Sequence, residues 1–290
     1  MSPLVYWQLD VFAERPLAGN GVAIFPDARQ LSPATMQALT QELRQFESVF
    51  LLPGASADAY QARIFTMEEE LPFAGHPIIG TAALLHHLHC PGASAEWSLQ
   101  LLAKSVTLRT RRQDLGFYAE MAQGRSEFGA LLAHEQALRF AEAFGLSVTE
   151  LDSRYPATVV SNGLPYLLLP VTAPGLARAK QCRAFAAELA ALGADFVYLL
   201  DVDAREGRTW DPLGLIEDIA TGSAAGPVAA FLVKYGLQRH DERFSLNQGR
   251  FLGRPSRLDV CVAADGHVSV GGSVQLLARA ELLVDASELG

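Results

Sequence analysis

Two segments limit what this chain can fold into. AGHPIIGTAALLHH (74–87) and TGSAAGPVAAFLVK (221–234) each open on two glycines, Gly75 with Gly80 and Gly222 with Gly226, and continue as Ala- and Leu-rich runs. At helical periodicity both are apolar on nearly every side, so neither can lie on a surface. Each must be wrapped by other elements within its own half of the chain. The expected fold is therefore α/β (α+β), with two similar domains. Each has a curved mixed or antiparallel sheet, or a barrel, around a central helix. Two unrelated Ala-rich core helices would look alike too, and the pattern alone does not choose.

The length fits that reading. At 290 residues there is material for about two domains. The expected division is 1–114 with 275–290 as one domain and 115–274 as the other. Half of the residues are hydrophobic, 19% are charged, and the net charge is −9. With no run of Lys or Arg either, nucleic acid and anionic membrane surfaces are excluded as expected partners. The longest uncharged run, Tyr155 to Ala177, is broken by Pro156, Pro165, Pro170 and Pro174 and does not read as a membrane span. The N-terminal MSPLVYWQLDVF has no basic stretch leading into an apolar one, so a cytoplasmic location is expected. Cys90, Cys182 and Cys261 are three and widely spaced, which suits neither a disulfide framework nor a thiolate zinc site.

Alternation and turn residues place strands at 5–12, 21–25, 48–52 and 60–66, then through 97–121 with turns near Lys104 and Asp114. Ser32-Pro33 starts a helix that runs to about Gln45. In the second half, helices are expected at 134–144, closed by Gly145, and at 182–192. Strands are expected at 158–160, 166–169, 195–202, 243–247, 257–263, 267–270 and 274–284.

The starts of the two apolar helices carry the chemistry. Backbone N–H groups at a helix start have no intrahelical partner and lie at the positive end of the dipole. Such a turn can hold a carboxylate without a basic side chain, which explains how an acidic chain could take a small anionic ligand. Polar groups cluster there: His76 beside Gly75, and Glu217 and Asp218 before Thr221-Gly222-Ser223. Glu47 in QFESVF has an apolar flank that would desolvate it and raise its pKa, as suits a base working on carbon. The plainer readings are a solvent-facing Glu47, a His76 bonded to backbone, and helix capping by Asp218 and Ser223.

Several standard sites are missing. There is no GxxxxGK[ST] phosphate loop and no HExxH. Gly19-Asn20-Gly21 has Ile24 at the third glycine position and Pro26 after it, which rules out the dinucleotide turn. His86, His87 and His89 are the best metal candidates, but no carboxylate accompanies them. No metal or cofactor is expected.

Together these blocks resemble one family. LDVFAERPLAGNGVAIF, ELRQFESVFLL, IFTMEEELPFAGHPIIGTAALL, IEDIATGSAAGPVAAFLVKYG, QGRFLGRPSRLDV and HVSVGGSV run from end to end of the chain. The chain is similar to the PhzF-like family of phenazine-biosynthesis isomerases, which share the diaminopimelate epimerase fold. The resemblance implies two α/β halves with the active site in the cleft between them, and a homodimer. It implies Glu47, Asp218 and His76 as catalytic residues, and Asn20, Gly75, Gly222 and Ser223 as substrate-binding ones. The phenazine enzyme moves a proton between ring carbons of a dihydro-hydroxyanthranilate without cofactor or metal.

The expected activity is thus a cofactor-independent isomerase of a small carboxylic acid. The alternatives are a racemase or epimerase of an amino or hydroxy acid, or a binding protein that has lost turnover. The epimerase relatives use two cysteines at the helix starts, and this chain has neither. Phe46 stands where the family has a small polar residue, making the pocket more apolar or smaller. Ile219 replaces a proline, as do Gly21 and Met67.

Overall fold

The computed structural model describes residues 4–54, 59–102, 104–211, 213–284 and 289. The chain divides into two compact units, residues 1–122 with 271–290, and residues 123–270. The junctions fall inside strands, some residues away from the expected boundaries at 114/115 and 274/275.

The first unit runs β1 (Val5–Val11), β2 (Asn20–Phe25), α1 (Pro33–Leu43), β3 (Ser48–Pro53), β4 (Ala59–Phe65), a two-residue β5 (Glu70–Leu71), α2 (Gly75–His89), β6 (Ser94–Gln100), β7 (Ser105–Arg112) and β8 (Phe117–Arg125). The second continues with β9 (Glu127–Leu131), α3 (His134–Ala143), β10 (Thr158–Ser161), β11 (Pro165–Pro170), α4 (Ala173–Arg178), α5 (Ala186–Ala190), β12 (Phe196–Asp201), β13 (Glu206–Thr209), α6 (Gly222–Lys234), β14 (Arg243–Gln248), β15 (Ser256–Val262) and β16 (His267–Glu281). The far end of β16 returns to the first unit.

In the first unit the strand order is β1-β2-β3-β4-β6-β7-β8-β16, and β16 pairs again with β1, Val5 opposite Glu281, so the ring closes. Closure removes the open edge that β1 would otherwise present. Helix α2 packs on β1, β2, β3, β6 and β7. Its Ile78, Ile79, Ala82, Ala83, Leu84 and Leu85 are fully buried. In the second unit the order is β16-β15-β14-β13-β12-β11-β10-β9, and α6 packs on β10, β11 and β15.

The duplication shows in the connections. In the first unit β2 and β3 are parallel across α1, and β4 and β6 are parallel across α2. In the second, β11 and β12 are parallel across α4 and α5, and β13 and β14 are parallel across α6. Each central helix is thus the crossover between two parallel strands, a connection that needs a helix-length segment. The second glycine of each helix permits close approach. A Cβ on Gly80 would stand 2.9 Å from Val11 Cγ2, and one on Gly226 would strike Gln123 Oε1.

Each unit also has a core beneath its outer helices. In the first, Phe25 stacks on Phe50 at 4.6 Å, with Met36 and Leu39 of α1 above them. In the second, Phe140, Phe144, Phe185 and Trp210 gather under α3.

Local signals explain most boundaries. Ser32 Oγ accepts from Thr35 N–H at 3.1 Å and Pro33 is the first helical residue, so α1 starts where expected. It stops two residues short of Gln45, because Arg44 turns into the left-handed region. The helix expected over 182–192 is only Ala186–Ala190. Helix α4, capped by Thr172, and strands β9 and β13 were not expected.

The strands expected at 267–270 and 274–284 are one strand, β16, which runs straight through Gly271-Gly272. Those glycines read as a break, but at Gly271 the need is space. A Cβ there would lie 2.6 Å from Glu120 Cβ and 2.7 Å from the Ala119 carbonyl oxygen. Gly271→Val is expected to lose about 1–3 kcal/mol from this overpacking. Urea unfolding measures it, and an unchanged midpoint would refute the close-approach account.

Candidate active site

In the first unit the candidate residues come together at the start of α2. Gly75 and His76 are its first two residues, and Ala74 before them provides no side-chain cap. Glu47 lies between the end of α1 and β3, where Arg44 reverses the chain and Gln8 Nε2 donates to Gln45 Oε1 at 3.1 Å. Glu47 is 7% exposed, so it does not face solvent. Its Oε2 is 3.1 Å from His76 Nε2, within ion-pair reach but off the line of a hydrogen bond. On the other side of the ring, Nδ1 is 3.3 Å from Asn20 Nδ2. Asn20 begins β2 and is 1% exposed. Asn20, Glu47, Gly75 and His76 thus form one buried cluster, reached from three separate stretches of sequence.

Burial pushes the His76 pKa down to about 3, against a smaller upward pull from a Gly21 backbone hydrogen bond. The helix start adds positive potential, which also disfavours a cationic ring. Glu47 would favour the charged form, but removal from water dominates and His76 stays neutral. A neutral imidazole has one nitrogen that donates and one that accepts. It can therefore stand against a carboxylate or a carboxylic acid, as a group that gains and loses protons requires.

The depressed value fixes a pH dependence. Below the ordinary histidine pKa of 6.5 the unfolded chain takes up a proton that the folded one refuses. This ring's contribution to stability is therefore present above pH 6.5 and is lost as pH falls from there toward 3. Ring nitrogen NMR signals of His76 should stay those of the neutral form from pH 7 to pH 4. An imidazolium signal at pH 5 would refute this.

In the second unit Asp218, Gly222 and Ser223 meet at the start of α6. Thr221 occupies the N-cap position and makes no side-chain cap. Its hydroxyl donates to Asp218 Oδ2 at 2.6 Å. Ser223 Oγ is 2.7 Å from Tyr166 Oη. The Gly222 carbonyl accepts from Gln123 Nε2 at 2.7 Å.

Asp218 itself is set by its backbone. Its N–H donates to the Thr209 carbonyl at 3.0 Å, next to a bridge between Trp210 and Glu217. Glu217 forms a two-pronged pair with Arg208, at 2.7 and 2.8 Å. Arg208, Tyr166, Tyr198 and Gln248 were missed in the sequence. The tyrosines sit in apolar strands, where their hydroxyls give no signal.

The three histidines at the end of α2 do not converge. His86 is buried, with Nδ1 2.7 Å from Thr110 Oγ1 and Nε2 3.0 Å from the Gly92 carbonyl. His87 packs edge-on to Trp7, and His89 stacks on Tyr60. Among the described residues no group of three or more His, Cys, Asp and Glu side chains is placed to hold a metal ion. No helix among them is long and apolar enough to cross a membrane.

The phenazine biosynthesis-like (PhzC-PhzF) family model matches residues 9–280. The chain belongs to this family. It is 35% identical over 274 residues to a trans-2,3-dihydro-3-hydroxyanthranilate isomerase of Pseudomonas aeruginosa, covering 87% of this chain and 88% of that one. The solved structure of a predicted epimerase from the same organism is 65% identical, with a TM-score of 0.94, over 97% of this chain and all of the other. A PhzF-family protein of Bacillus anthracis shares the fold at 22% identity and a TM-score of 0.84, over 98% of this chain and all of that one. The chain is an isomerase.

Proposed function

We propose that this PhzF-family isomerase moves a proton between two carbons of a small unsaturated carboxylic acid, without cofactor or metal. The buried Glu47–His76 pair supports this reading most directly. Glu47 takes a proton from carbon, the C–H electron pair becomes a new carbon–carbon double bond, and the pair of the old double bond moves to the far carbon. The same proton returns from Glu47 to the far carbon, so nothing is gained or lost. Neutral His76 orients the carboxyl group and Asn20 orients His76. Backbone N–H groups at Gly75-His76 hold the carboxylate. Asp218, Gly222 and Ser223 are proposed as ligand-binding residues of the second unit.

The experiment is incubation in D2O with the dihydro-hydroxyanthranilate for which the Pseudomonas relative is named, and with other small unsaturated acids. Double-bond migration with transfer or deuteration at the new carbon supports the reading. No migration and no exchange on any acid that binds overturns it.

A second enzyme reading, epimerisation at one carbon, is favoured by the structure named as a predicted epimerase at 65% identity. Chiral analysis of the product in the same assay separates the two. A cytoplasmic homodimer completes the proposal, its oligomeric part checked by sedimentation velocity.

A further inference from the structure

Thr221 and Gln248 both hydrogen-bond Asp218, one at its side chain and one at its carbonyl. Gln248, at the end of β14, is 1% exposed and all its hydrogen-bonding positions are used. Its Oε1 accepts from Thr221 N–H at 3.1 Å and from Tyr198 Oη at 3.3 Å. Its Nε2 donates to the Asp218 carbonyl at 2.9 Å and to Thr221 Oγ1 at 3.0 Å. Reversing the amide would set its hydrogens against the Thr221 N–H, so only one orientation works. Thr221 Oγ1 therefore receives a hydrogen from Gln248, and its own hydrogen goes to Asp218 Oδ2 at 2.6 Å.

Tyr198 fixes the far end of this chain. Its ring lies over Gly207, where any Cβ would collide with it. Burial, and then the neighbouring Asp218, Tyr166 and Glu206, push its pKa well up, so it remains a donor. The other charges nearby are paired: Glu206 with Arg250 at 2.6 Å, and Glu217 with Arg208. Ser223 and Tyr166 bond to each other.

We propose that Tyr198, Gln248 and Thr221 form a one-directional hydrogen-bond chain whose task is to hold the Asp218 side chain as an aimed, ionised acceptor. These are positioning residues, and of the three it is Thr221 that donates to the carboxylate. A donor committed to a carboxylate favours its charged form. The chain's use in catalysis rests on the reading of Asp218 as a site residue, but its existence does not.

The test needs no substrate. The carboxyl carbon of Asp218 is followed by 13C NMR against pH, its signal assigned by its absence in Asp218→Asn. Thr221→Val keeps the shape and removes the donor, and is expected to raise the titration midpoint by on the order of one pH unit. Thr221→Ser should restore the wild-type midpoint. Gln248→Met should raise it as well, since the Thr221 hydrogen is then no longer directed. If the valine variant does not fold, Thr221→Ala gives the same comparison. An unmoved midpoint without the hydroxyl, or equal shifts with valine and serine, would overturn the proposal. Failure of the catalytic reading would show separately, as Asp218→Asn that keeps full turnover of an acid the wild type isomerises.

Discussion

Glu47→Gln is expected to bind its acid and leave the proton where it is. The amide keeps the volume and the polar contact with His76, and it cannot act as a base near neutral pH. Loss of a positioned general acid/base removes roughly 10² to 10⁴ in rate. Binding should survive, because helix-start N–H groups rather than Glu47 hold the carboxylate in the proposed complex. Calorimetry gives the affinity, and NMR of deuterium incorporation gives the exchange rate. Wild-type exchange in Glu47→Gln, on an acid the wild type turns over, would remove Glu47 from the mechanism. An equal loss of binding and exchange would move it from the chemistry to the binding contacts.

The second large effect lies away from the reacting atoms. Arg208→Met is expected to cost about 3–5 kcal/mol, the usual result of stripping one partner from a buried ion pair. Arg208 and Glu217 are 9% and 10% exposed at their side chains. The guanidinium also donates to the Leu176 and Ala179 carbonyls at 2.7 and 3.0 Å. It lies 4.7 Å from the ring centres of both Trp210 and Phe251. Methionine fills the slot between the rings but leaves the Glu217 charge and those carbonyls unmatched. Urea unfolding followed by Trp fluorescence reads the loss, since Trp210 is the one tryptophan of residues 123–270. Adding Glu217→Gln to Arg208→Met should recover part of it, because the stranded charge is then gone. A loss below about 1 kcal/mol would place the pair with ordinary surface salt bridges.

Periodicity made the two central helices legible, because a segment apolar on every side has one place to go. The Ser32-Pro33 start of α1 and the Gly145 stop after α3 were equally plain, since each depends on a single residue's conformational preference. Gly271 misled for the opposite reason. A glycine that turns the chain and a glycine that admits a neighbour look the same in sequence, and the neighbour, Glu120, is 151 positions away. The candidate residues could be named from the helix starts and from family resemblance. What could not be read was their company: Asn20 against His76, Thr221 against Asp218, and Gln248 between Thr221 and Tyr198. Apart from Thr221 with Asp218, three residues apart in one turn, these contacts join residues brought together by strand order, and a polar side chain gives no periodic signal of the partner it will meet.

The closure of the first ring sets a timetable for synthesis. Strand β1 leaves the ribosome before the other strands described, and one of its two partners, β16, is made more than 250 residues later. At about 5–20 residues per second, that edge waits for tens of seconds. The second unit, residues 123–270, lies wholly within the interval and can complete its core first. A nascent chain would then carry a folded later half while the earlier half still lacks its last stave. During that time VYWQLDV, like β8, has one strand edge without its partner, which makes it a point of attention for a chaperone.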